Sequence, residues 1–330
     1  MNATLAMQRA IEISQLGLGK TKGNPIVGAV IFNEQGLIAE GFHQSGPHAE
    51  VVAIQSALKQ ARDLSDAAIA ISLEPCNHHG KTPPCTDAII DSGIKKVYFA
   101  VKDPNAIAAG GAAKLQAAGI EVTQGLLAKE AEQANRAWLT KIQKARPYFT
   151  WKIAATLDGK VAAADGSSKW ITNSESRAYV AKMRAESDAI LVGTGTVLAD
   201  DPNLIPDGSD NRPLRVVVGQ REIPASAKVK DTRAPFYQFQ SHELNKLGNE
   251  LVAREVNSVL VEAGPTLGTA LFKAGLIDEL ALFTAPKLLG SGRDFIESLE
   301  IASISQAQEL TLIERREFGS DLFARYQVGA

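Results

Sequence analysis

Cysteine is scarce in this sequence, because the 330 residues contain only Cys76 and Cys85. Two cysteines allow a single disulfide, which would be the expectation for a secreted protein. Residues 1–9, however, lack the basic stretch and the apolar core of a signal peptide. In a cytoplasmic protein such cysteines serve more often as metal ligands. We therefore predict a cytoplasmic protein whose two thiols ligate a metal, with the disulfide as the alternative.

The sequence also lacks an excess of charge of one sign and long apolar runs. It has 35 lysines and arginines against 37 aspartates and glutamates, a formal net charge of -2. Binding driven by nucleic-acid phosphates is therefore not favoured, although a local patch can still hold one phosphate. No window approaches the ~18 consecutive apolar residues of a membrane-spanning helix. We expect a small-molecule substrate, no nucleic-acid or membrane partner, and a homo-oligomer.

Strands and helices alternate along the first half of the chain. Apolar residues at helical spacing predict helices over 4–16, 48–61, 112–118 and 127–142, and a further helix that starts at 85. Apolar runs of strand length predict strands over 26–32, 37–42, 67–73, 96–101 and 120–123. This alternation predicts a layered α/β domain.

A basic stretch that ends in a proline, 144–147, divides the chain where the periodicity changes from helical to strand-like. We place the domain boundary there, with one domain over 1–145 and a second over 146–330. The second domain alternates again, with predicted strands over 148–155, 189–192, 214–218, 258–261 and 279–284 and helices over 174–185 and 242–254. Both domains are therefore predicted to belong to the α/β class.

The clearest functional pattern joins a His-Ala-Glu triplet at 48–50 to two cysteines that each follow a proline. In zinc deaminases one histidine and two cysteines hold Zn²⁺, and a glutamate that is not a ligand moves protons. A catalytic Zn²⁺ takes three protein ligands and keeps a fourth position for water. The pattern therefore predicts Zn²⁺ bound by His48, Cys76 and Cys85, with Glu50 as the catalytic proton carrier.

Each part of this pattern has a simpler interpretation. A lone His-Ala-Glu is usually a helix start, and prolyl-cysteine alone is a weak signal, so only their joint order favours a catalytic site. His78 and His79 lie between the cysteines, and we interpret them as loop residues that can contact the substrate. His43 is interpreted as a structural histidine.

Two glycine-containing turns mark the second domain. Gly193 and Gly195 lack the third glycine that a dinucleotide fingerprint requires at Leu198, so a Rossmann fold is excluded. The segment 262–268 follows an apolar strand and precedes a helix, which directs backbone N–H groups at an anion such as a cofactor pyrophosphate. A plain strand-to-helix turn is the alternative. Lys152, in a predicted strand, either pairs with a phosphate or carboxylate or faces solvent.

Three segments of the first half carry a family resemblance. Residues 24–28, 48–50 and 74–85 read Asn-Pro-Ile-Val-Gly, His-Ala-Glu and Glu-Pro-Cys-Asn-His-His-Gly-Lys-Thr-Pro-Pro-Cys. They resemble the bifunctional riboflavin biosynthesis deaminase/reductase family, which shares the long spacing between the cysteines. The resemblance implies a cytidine-deaminase-like three-layer domain that uses Zn²⁺ to deaminate 2,5-diamino-6-ribosylamino-4(3H)-pyrimidinone 5′-phosphate. It also implies that Asn24 hydrogen-bonds the pyrimidine.

Segments 152–159, 168–172, 196–202 and 261–266 are similar to the reductase of the same family. They imply a dihydrofolate-reductase-like α/β domain that uses NADPH to reduce the ribosyl group of 5-amino-6-(5-phosphoribosylamino)uracil to ribityl. By this resemblance the substrate contacts are Ser168, Arg184, Leu204 and Glu262. The cofactor contacts are Ala154, Trp170, Thr196, Asp200, Gly264, Pro265, Thr266, Leu267, Gly268, Thr269 and Ala270. Whether Glu262 or Asp200 stabilises the charge that develops on reduction stays open.

The sequence departs from the family pattern at two places. Asp207 stands where the family has an arginine that holds the substrate phosphate, so phosphate binding would depend on Arg184 or Arg212. Ala106 and Ile107 replace a segment in which a second proline is usual. Two alternatives therefore stay open. One is a zinc deaminase of another base or nucleoside, and the other is a C-terminal half that is a non-catalytic binding or dimerisation module.

Overall fold

Two sheets organise the chain, and each belongs to its own compact unit. The structure is a computed structural model that describes residues 1–79, 83–105 and 110–329. Within these residues the chain divides into the units Met1–Lys144 and Ala145–Ala330. The motif residues Gly80, Lys81 and Thr82, and the departure at Ala106 and Ile107, lie outside the described residues. None of the described helices combines the length and apolar composition needed to cross a bilayer.

The first unit is built on a five-stranded mixed sheet. Its strands are β1 (Gly28–Asn33), β2 (Gly36–Phe42), β3 (Ala68–Leu73), β4 (Lys96–Val101) and β5 (Glu121–Gln124). Its helices are α1 (Ala3–Ser14), α2 (Ala49–Lys59), α3 (Cys85–Asp91), α4 (Gly111–Ala117), α5 (Ala128–Ala134) and α6 (Arg136–Lys144). The strand order is β2-β1-β3-β4-β5, in which β1 runs antiparallel to both neighbours and β3, β4 and β5 are parallel.

The core of the first unit lies on both faces of this sheet. All six residues of β3 are buried, as expected for a central strand covered on both sides. On one face α1 packs closely, because a Cβ at Gly28 would lie 2.0 Å from the carbonyl oxygen of Ala10. A glycine at this position is therefore what lets α1 contact the start of β1 directly.

The second unit contains an eight-stranded sheet. Its first elements are β6 (Tyr148–Thr156), β7 (Lys160–Ala162), α7 (Ser174–Ala185), β8 (Ala189–Gly193), α8 (Thr194–Asp200), β9 (Leu214–Val218) and β10 (Phe236–Phe239). There follow α9 (Leu244–Val252), β11 (Ser258–Val261), α10 (Pro265–Lys273), β12 (Ile277–Ala285), β13 (Arg293–Asp294), β14 (Leu310–Phe318) and β15 (Asp321–Val328). The strand order is β10-β9-β8-β11-β6-β12-β15-β14, and β7 pairs with β13 apart from it.

The direction of the strands determines where ligands can bind in the second unit. The first six strands in this order are parallel, and β15 and β14 add an antiparallel hairpin. The carboxyl ends of the parallel strands therefore meet at one edge, where α/β sheets bind ligands. Along β6 the side chains of Phe149, Trp151 and Ile153 enter the core. Lys152 alternates with them, so its side chain belongs to the opposite face.

The predicted alternation of strands and helices is confirmed, with two kinds of difference. The single helix predicted over 127–142 is wrong, since α5 ends before Asn135 and α6 begins after it. The side chain of Asn135 accepts a hydrogen bond from Ile26 N at 3.0 Å and donates one to Ile26 O at 2.7 Å. A tertiary contact therefore interrupts the helix. The elements α8, β7, β10, β13, β14 and β15 were not predicted.

Candidate active sites

Three metal-binding side chains converge at one place in the first unit. His48 is the residue before α2, Cys76 follows the end of β3, and Cys85 is the first residue of α3. The backbone N–H of Cys85 points at Cys76 Sγ, 3.4 Å away, which holds the two cysteines together. Ends of three elements thus bring together residues that are up to 37 positions apart.

The geometry of the three donor atoms fits Zn²⁺. His48 Nδ1 lies 3.2 Å from Cys85 Sγ and 3.5 Å from Cys76 Sγ, and the three ligand atoms all lie within 4.8 Å of one another. A tetrahedral Zn²⁺ with bonds of about 2.1 Å to nitrogen and 2.3 Å to sulfur separates such atoms by roughly 3.6 Å. Both cysteines are free thiols, so the alternative of a disulfide is wrong.

The electrostatics of the cluster favour a thiolate. The hydrogen bond from the Cys85 thiol, helped by His48, lowers the pKa of Cys76 against the opposing effect of burial. The same hydrogen bond, together with burial, raises the pKa of Cys85. The contact with Cys76 also raises the pKa of His48. The thiolate is the form in which cysteine ligates a metal, so Cys76 is prepared for that role.

Glu50 lies in the first turn of α2, beside the cluster. Its side chain is almost completely buried and contacts Cys85. Burial raises the pKa of the Glu50 carboxyl above its ordinary value. A carboxyl with a raised pKa takes up a proton more readily at neutral pH, which suits a group that transfers protons.

The other predicted residues of the first unit differ in their burial and contacts. Asn24 is exposed in the loop before β1, where its backbone oxygen accepts a hydrogen bond from Thr21 Oγ1 at 2.8 Å. His43 is buried, with Nδ1 3.2 Å from Pro47 O and its ring edge against His48. Nδ1 of His78 is buried and has no hydrogen-bond partner among the described residues. His79 is exposed.

A buried carboxylate that was predicted only as part of a motif supports the loop around Cys76. Glu74 directly follows β3 and accepts hydrogen bonds from Asp103 N at 3.2 Å and from Ala112 N at 3.1 Å. It therefore joins the ends of β3 and β4 to the start of α4. Its position next to Pro75-Cys76 is the only sequence signal for this role.

A cavity of about 1200 Å³ lies at the carboxyl ends of the parallel strands in the second unit. Most of the predicted reductase residues line it. They are Lys152, Ala154, Ser168, Trp170, Arg184, Thr196, Asp200, Glu262, Gly264, Pro265, Thr266, Leu267 and Ala270. The fold thus brings together segments that the sequence distributes over more than a hundred residues.

Three residues predicted for this pocket do not line the cavity. The side chain of Leu204 is buried in an apolar cluster with Ile190 and Val197. Gly268 packs beneath Trp151, since a Cβ there would lie 2.0 Å from a ring carbon. The hydroxyl of Thr269 accepts a hydrogen bond from the N–H of Glu297 at 2.9 Å. These three positions therefore shape the walls behind the cavity.

A buried ion cluster stands at the end of β11. Glu262 accepts two hydrogen bonds from Arg184, one of them 2.9 Å from Nη2 to Oε2, and its Oε2 lies 3.3 Å from Lys152 Nζ. Burial alone would raise the pKa of Glu262, but the charges of Lys152 and Arg184 outweigh it and lower the pKa to about 2. Lys152 therefore pairs with a carboxylate, one of the alternatives that the sequence left open.

The two arginines expected to hold the substrate phosphate have protein partners. Arg184 is bound to Glu262, and Asp207, which also lines the cavity, adds a negative charge nearby. Arg212 donates hydrogen bonds to Ser209 O at 2.7 Å and to Asn211 O at 2.9 Å. Arg212 does not line the cavity. Arg184 can therefore reach a phosphate only while it also holds Glu262.

The loop of residues 168–172 forms another wall of the cavity. Lys169 forms an ion pair of 2.7 Å with Asp200, and Arg177 stacks on the exposed ring of Trp170 at 4.5 Å. Lys287 Nζ donates to the carbonyl of Trp170 at 2.8 Å. Two predicted cofactor contacts, Trp170 and Asp200, are thus held in place by cations that sequence patterns did not single out.

Comparison with known families matches both units. The model of the cytidine and deoxycytidylate deaminase zinc-binding region matches residues 1–101. The model of the RibD C-terminal domain matches residues 147–324. These matches confirm the predicted fold class of a cytidine-deaminase-like domain followed by a dihydrofolate-reductase-like domain.

Full-length relatives agree with this assignment. The chain is 44% identical over 327 residues to riboflavin biosynthesis protein RibD of Mycobacterium tuberculosis, covering 96% of this chain and 95% of the relative. It is 37% identical to RibD of Escherichia coli, covering 96% of each. A crystal structure of a diaminohydroxyphosphoribosylaminopyrimidine deaminase/5-amino-6-(5-phosphoribosylamino)uracil reductase from Thermotoga maritima superimposes with a TM-score of 0.92, 36% identity and 99% coverage of both chains.

Proposed function

The chain belongs to the RibD family of riboflavin biosynthesis proteins, and we propose that each of its two units carries one of the two active sites. The protein is a bifunctional deaminase and reductase. Met1–Lys144 is the deaminase, and its substrate is 2,5-diamino-6-ribosylamino-4(3H)-pyrimidinone 5′-phosphate. Ala145–Ala330 is the reductase of 5-amino-6-(5-phosphoribosylamino)uracil. The observation that carries the proposal is the cluster of His48, Cys76 and Cys85 with buried Glu50 beside it.

In the deaminase unit, His48, Cys76 and Cys85 hold Zn²⁺. The metal supplies Lewis acidity at neutral pH. Glu50 accepts a proton from the attacking water and delivers it to the departing amino group, which leaves as ammonia. The oxygen of the water remains on the pyrimidine as a carbonyl. Asn24 hydrogen-bonds the pyrimidine ring of the substrate.

In the reductase unit, the cavity-lining residues position the sugar against the cofactor. NADPH supplies the hydride. The ribosylamine would open to an imine as its N–H proton passes to the ring oxygen. C1′ would then be placed to accept the hydride, and solvent would supply the proton for the nitrogen. Glu262 orients Lys152 and Arg184 from one side, so that both cations face the substrate. Ser168 contributes a hydroxyl to the same cavity.

The alternative of a zinc deaminase with a non-catalytic C-terminal module is less well supported. The family match over 147–324 and the charged residues Lys152, Arg184 and Glu262 in the cavity lining both favour a working reductase. We place the enzyme in the cytoplasm, where thiols such as Cys76 and Cys85 stay reduced and available to a metal. We also propose that the chain assembles with copies of itself, the form that most soluble oligomers take.

The experiment combines product identification with two variants. The purified chain is incubated with the diaminopyrimidine phosphate, with and without NADPH, and the products are identified by mass. Cys76→Ala should lose zinc and ammonia release but should still oxidise NADPH on substrate that is already deaminated. The matched variant Glu50→Gln should keep its zinc and lose ammonia release.

Three outcomes would contradict the proposal. Ammonia release from cytidine or adenosine, and none from the diaminopyrimidine, would favour the nucleoside deaminase. Deamination without any affinity for NADPH would favour the non-catalytic module. An undiminished rate of deamination in Cys76→Ala would show that the metal assignment is wrong.

A further inference from the structure

Six lysine and arginine side chains line the cavity of the second unit, and five of them already have partners. The partnered pairs are Lys152 and Arg184 with Glu262, Lys169 with Asp200, Arg177 with Thr172 O, and Arg293 with Glu297. In the part of the chain that the structure describes, the Arg221 guanidinium has no ion pair and no hydrogen bond. Among the described residues of this lining, Arg221 is therefore the cation whose whole guanidinium group is open to an anionic ligand.

Close packing places Arg221 against the start of α8. A Cβ at Gly195 would lie 2.9 Å from Arg221 Nη2, so the guanidinium lies directly over that glycine. A Cβ at Gly219 would lie 2.6 Å from Thr194 Oγ1, and Gly219 has a φ of +134°, a conformation that favours glycine. The two glycines thus allow the loop after β9 to approach α8, which also carries Thr196.

The backbone that carries Arg221 is fixed from a neighbouring strand. Gln238, in β10, donates through Nε2 to Gly219 O at 2.9 Å and to Arg221 O at 3.0 Å. One side chain therefore holds the carbonyls on either side of Gln220. A fixed backbone lowers the entropic cost of bringing the guanidinium to a ligand.

The strand order separates Arg221 from the ion cluster. The cluster stands on β11 and β6, whereas Arg221 follows β9, and β8 lies between β9 and β11. With strands ~4.8 Å apart, β9 is about 10 Å from β11 and about 14 Å from β6. A ligand that reaches both places must be elongated and must carry a negative charge far from its reacting end.

We propose that Arg221 binds the phosphate on the 2′ oxygen of the NADPH adenosine and thereby selects NADPH over NADH. The inference rests on the proposed reductase function. The expected place of the pyrophosphate is the turn 264–266 at the start of α10, on β11. The 2′ phosphate is the only group that distinguishes the two cofactors, and the planar guanidinium matches a phosphate with two parallel hydrogen bonds.

The test uses full-length protein, two variants of Arg221 and one control. Arg221→Gln removes the charge, and Arg221→Lys keeps the charge but not the two parallel N–H donors of the guanidinium. The control Lys246→Gln removes an exposed cation on α9 that does not line the cavity. Dissociation constants of NADP⁺ and NAD⁺ are measured by calorimetry, followed by kcat/KM with NADPH and NADH. Melting temperatures check the fold of each variant.

Arg221→Gln should weaken NADP⁺ binding by about 10- to 100-fold, the usual effect of losing hydrogen bonds to a charged group, and leave NAD⁺ binding within about twofold. The affinity of Arg221→Lys for NADP⁺ should lie between those of the wild type and Arg221→Gln. Lys246→Gln should bind both nucleotides as the wild type does. An equal loss of affinity for both nucleotides would overturn the inference, because it would place Arg221 on a group they share. Unchanged NADP⁺ affinity in a folded Arg221→Gln would overturn it as well.

The same titrations separate this inference from the proposed function. Wild-type protein that binds NADP⁺ and NAD⁺ equally, yet reduces the substrate, would overturn only the role of Arg221. Wild-type protein that binds neither nucleotide would refute the reductase function itself.

Discussion

Replacing Glu262 by glutamine should lower the free energy of unfolding of the second unit. The pH dependence of that loss should show that it comes from the charge of the Glu262 carboxylate. The carboxylate is buried between Lys152 and Arg184, and its own side chain is only 8% exposed. Glutamine keeps the size of the side chain but removes the charge. Lys152 and Arg184 then face each other across a neutral amide, without a counter-charge.

The magnitude follows from the pKa of Glu262, which is lowered from the ordinary 4.5 to about 2. At ~1.4 kcal/mol per pH unit, this difference corresponds to about 3 kcal/mol of free energy of unfolding at pH 7. The size agrees with the ~3–5 kcal/mol lost when one partner of a buried ion pair is removed. We therefore expect Glu262→Gln to be less stable than wild type by about 3 kcal/mol at pH 7.

The sign of the pH dependence follows from the direction of the pKa shift. Because the pKa of Glu262 is lower in the folded than in the unfolded protein, its contribution is complete above pH ~4.5 and is lost as the pH falls towards 2. By the same relation only about 1 kcal/mol should remain at pH 3. The stability difference between wild type and Glu262→Gln should therefore shrink by more than half between pH 7 and pH 3.

Urea unfolding followed by tryptophan fluorescence measures this difference. A Trp138→Phe background removes the tryptophan of the first unit, so that buried Trp151 and exposed Trp170 report on the second. Glu309→Gln, an exposed carboxylate outside the cavity, is the control and should match wild type at both pH values. A stability difference that is the same at pH 3 as at pH 7 would refute the reasoning, because it would not come from the charge of Glu262.

Two further substitutions test the walls of the same cavity. Gly268→Ala should lower the melting temperature of the second unit and cost about 1–3 kcal/mol, because the added Cβ would lie 2.0 Å from the buried Trp151 ring; an unchanged melting temperature would show that α10 can move away. Asp207→Asn should lower the KM of the phosphorylated reductase substrate several-fold, because it removes a negative charge near Arg184 that repels a phosphate; an unchanged KM would place the phosphate elsewhere.

Local patterns were sufficient to predict elements with a regular apolar face. The bounds of α7, β9 and β11 were predicted as the structure has them. By contrast, β14 was missed, because most of its residues are exposed at the edge of the sheet and no buried face imposes alternation. The break at Asn135 was missed because its hydrogen-bond partner, Ile26, lies 109 residues away. A sequence window contains neither of these causes.

The same distinction separates the two sites. The convergence of His48, Cys76 and Cys85 on one potential metal site was predictable because His-Ala-Glu and the two prolyl-cysteines are short patterns with a definite order. The pairing of Glu262 with Arg184 and Lys152 depends on strand order, since the three residues come from β11, α7 and β6. The family resemblance suggested that Arg184 would contact the substrate and hold its phosphate, and only the fold supplies its carboxylate partner.

The strand order of the second unit also bears on how this enzyme could be re-engineered. The loops after β8, β9 and β10 form one end of the cavity, and the residues of β11 and β6 form the other. If Arg221 binds the 2′ phosphate as proposed, cofactor preference can be changed on the β9 side without altering Lys152, Arg184 or Glu262 on the other. Strand β8, which lies between β9 and β11, thus separates the residue proposed to set cofactor preference from the ion cluster of Lys152, Arg184 and Glu262.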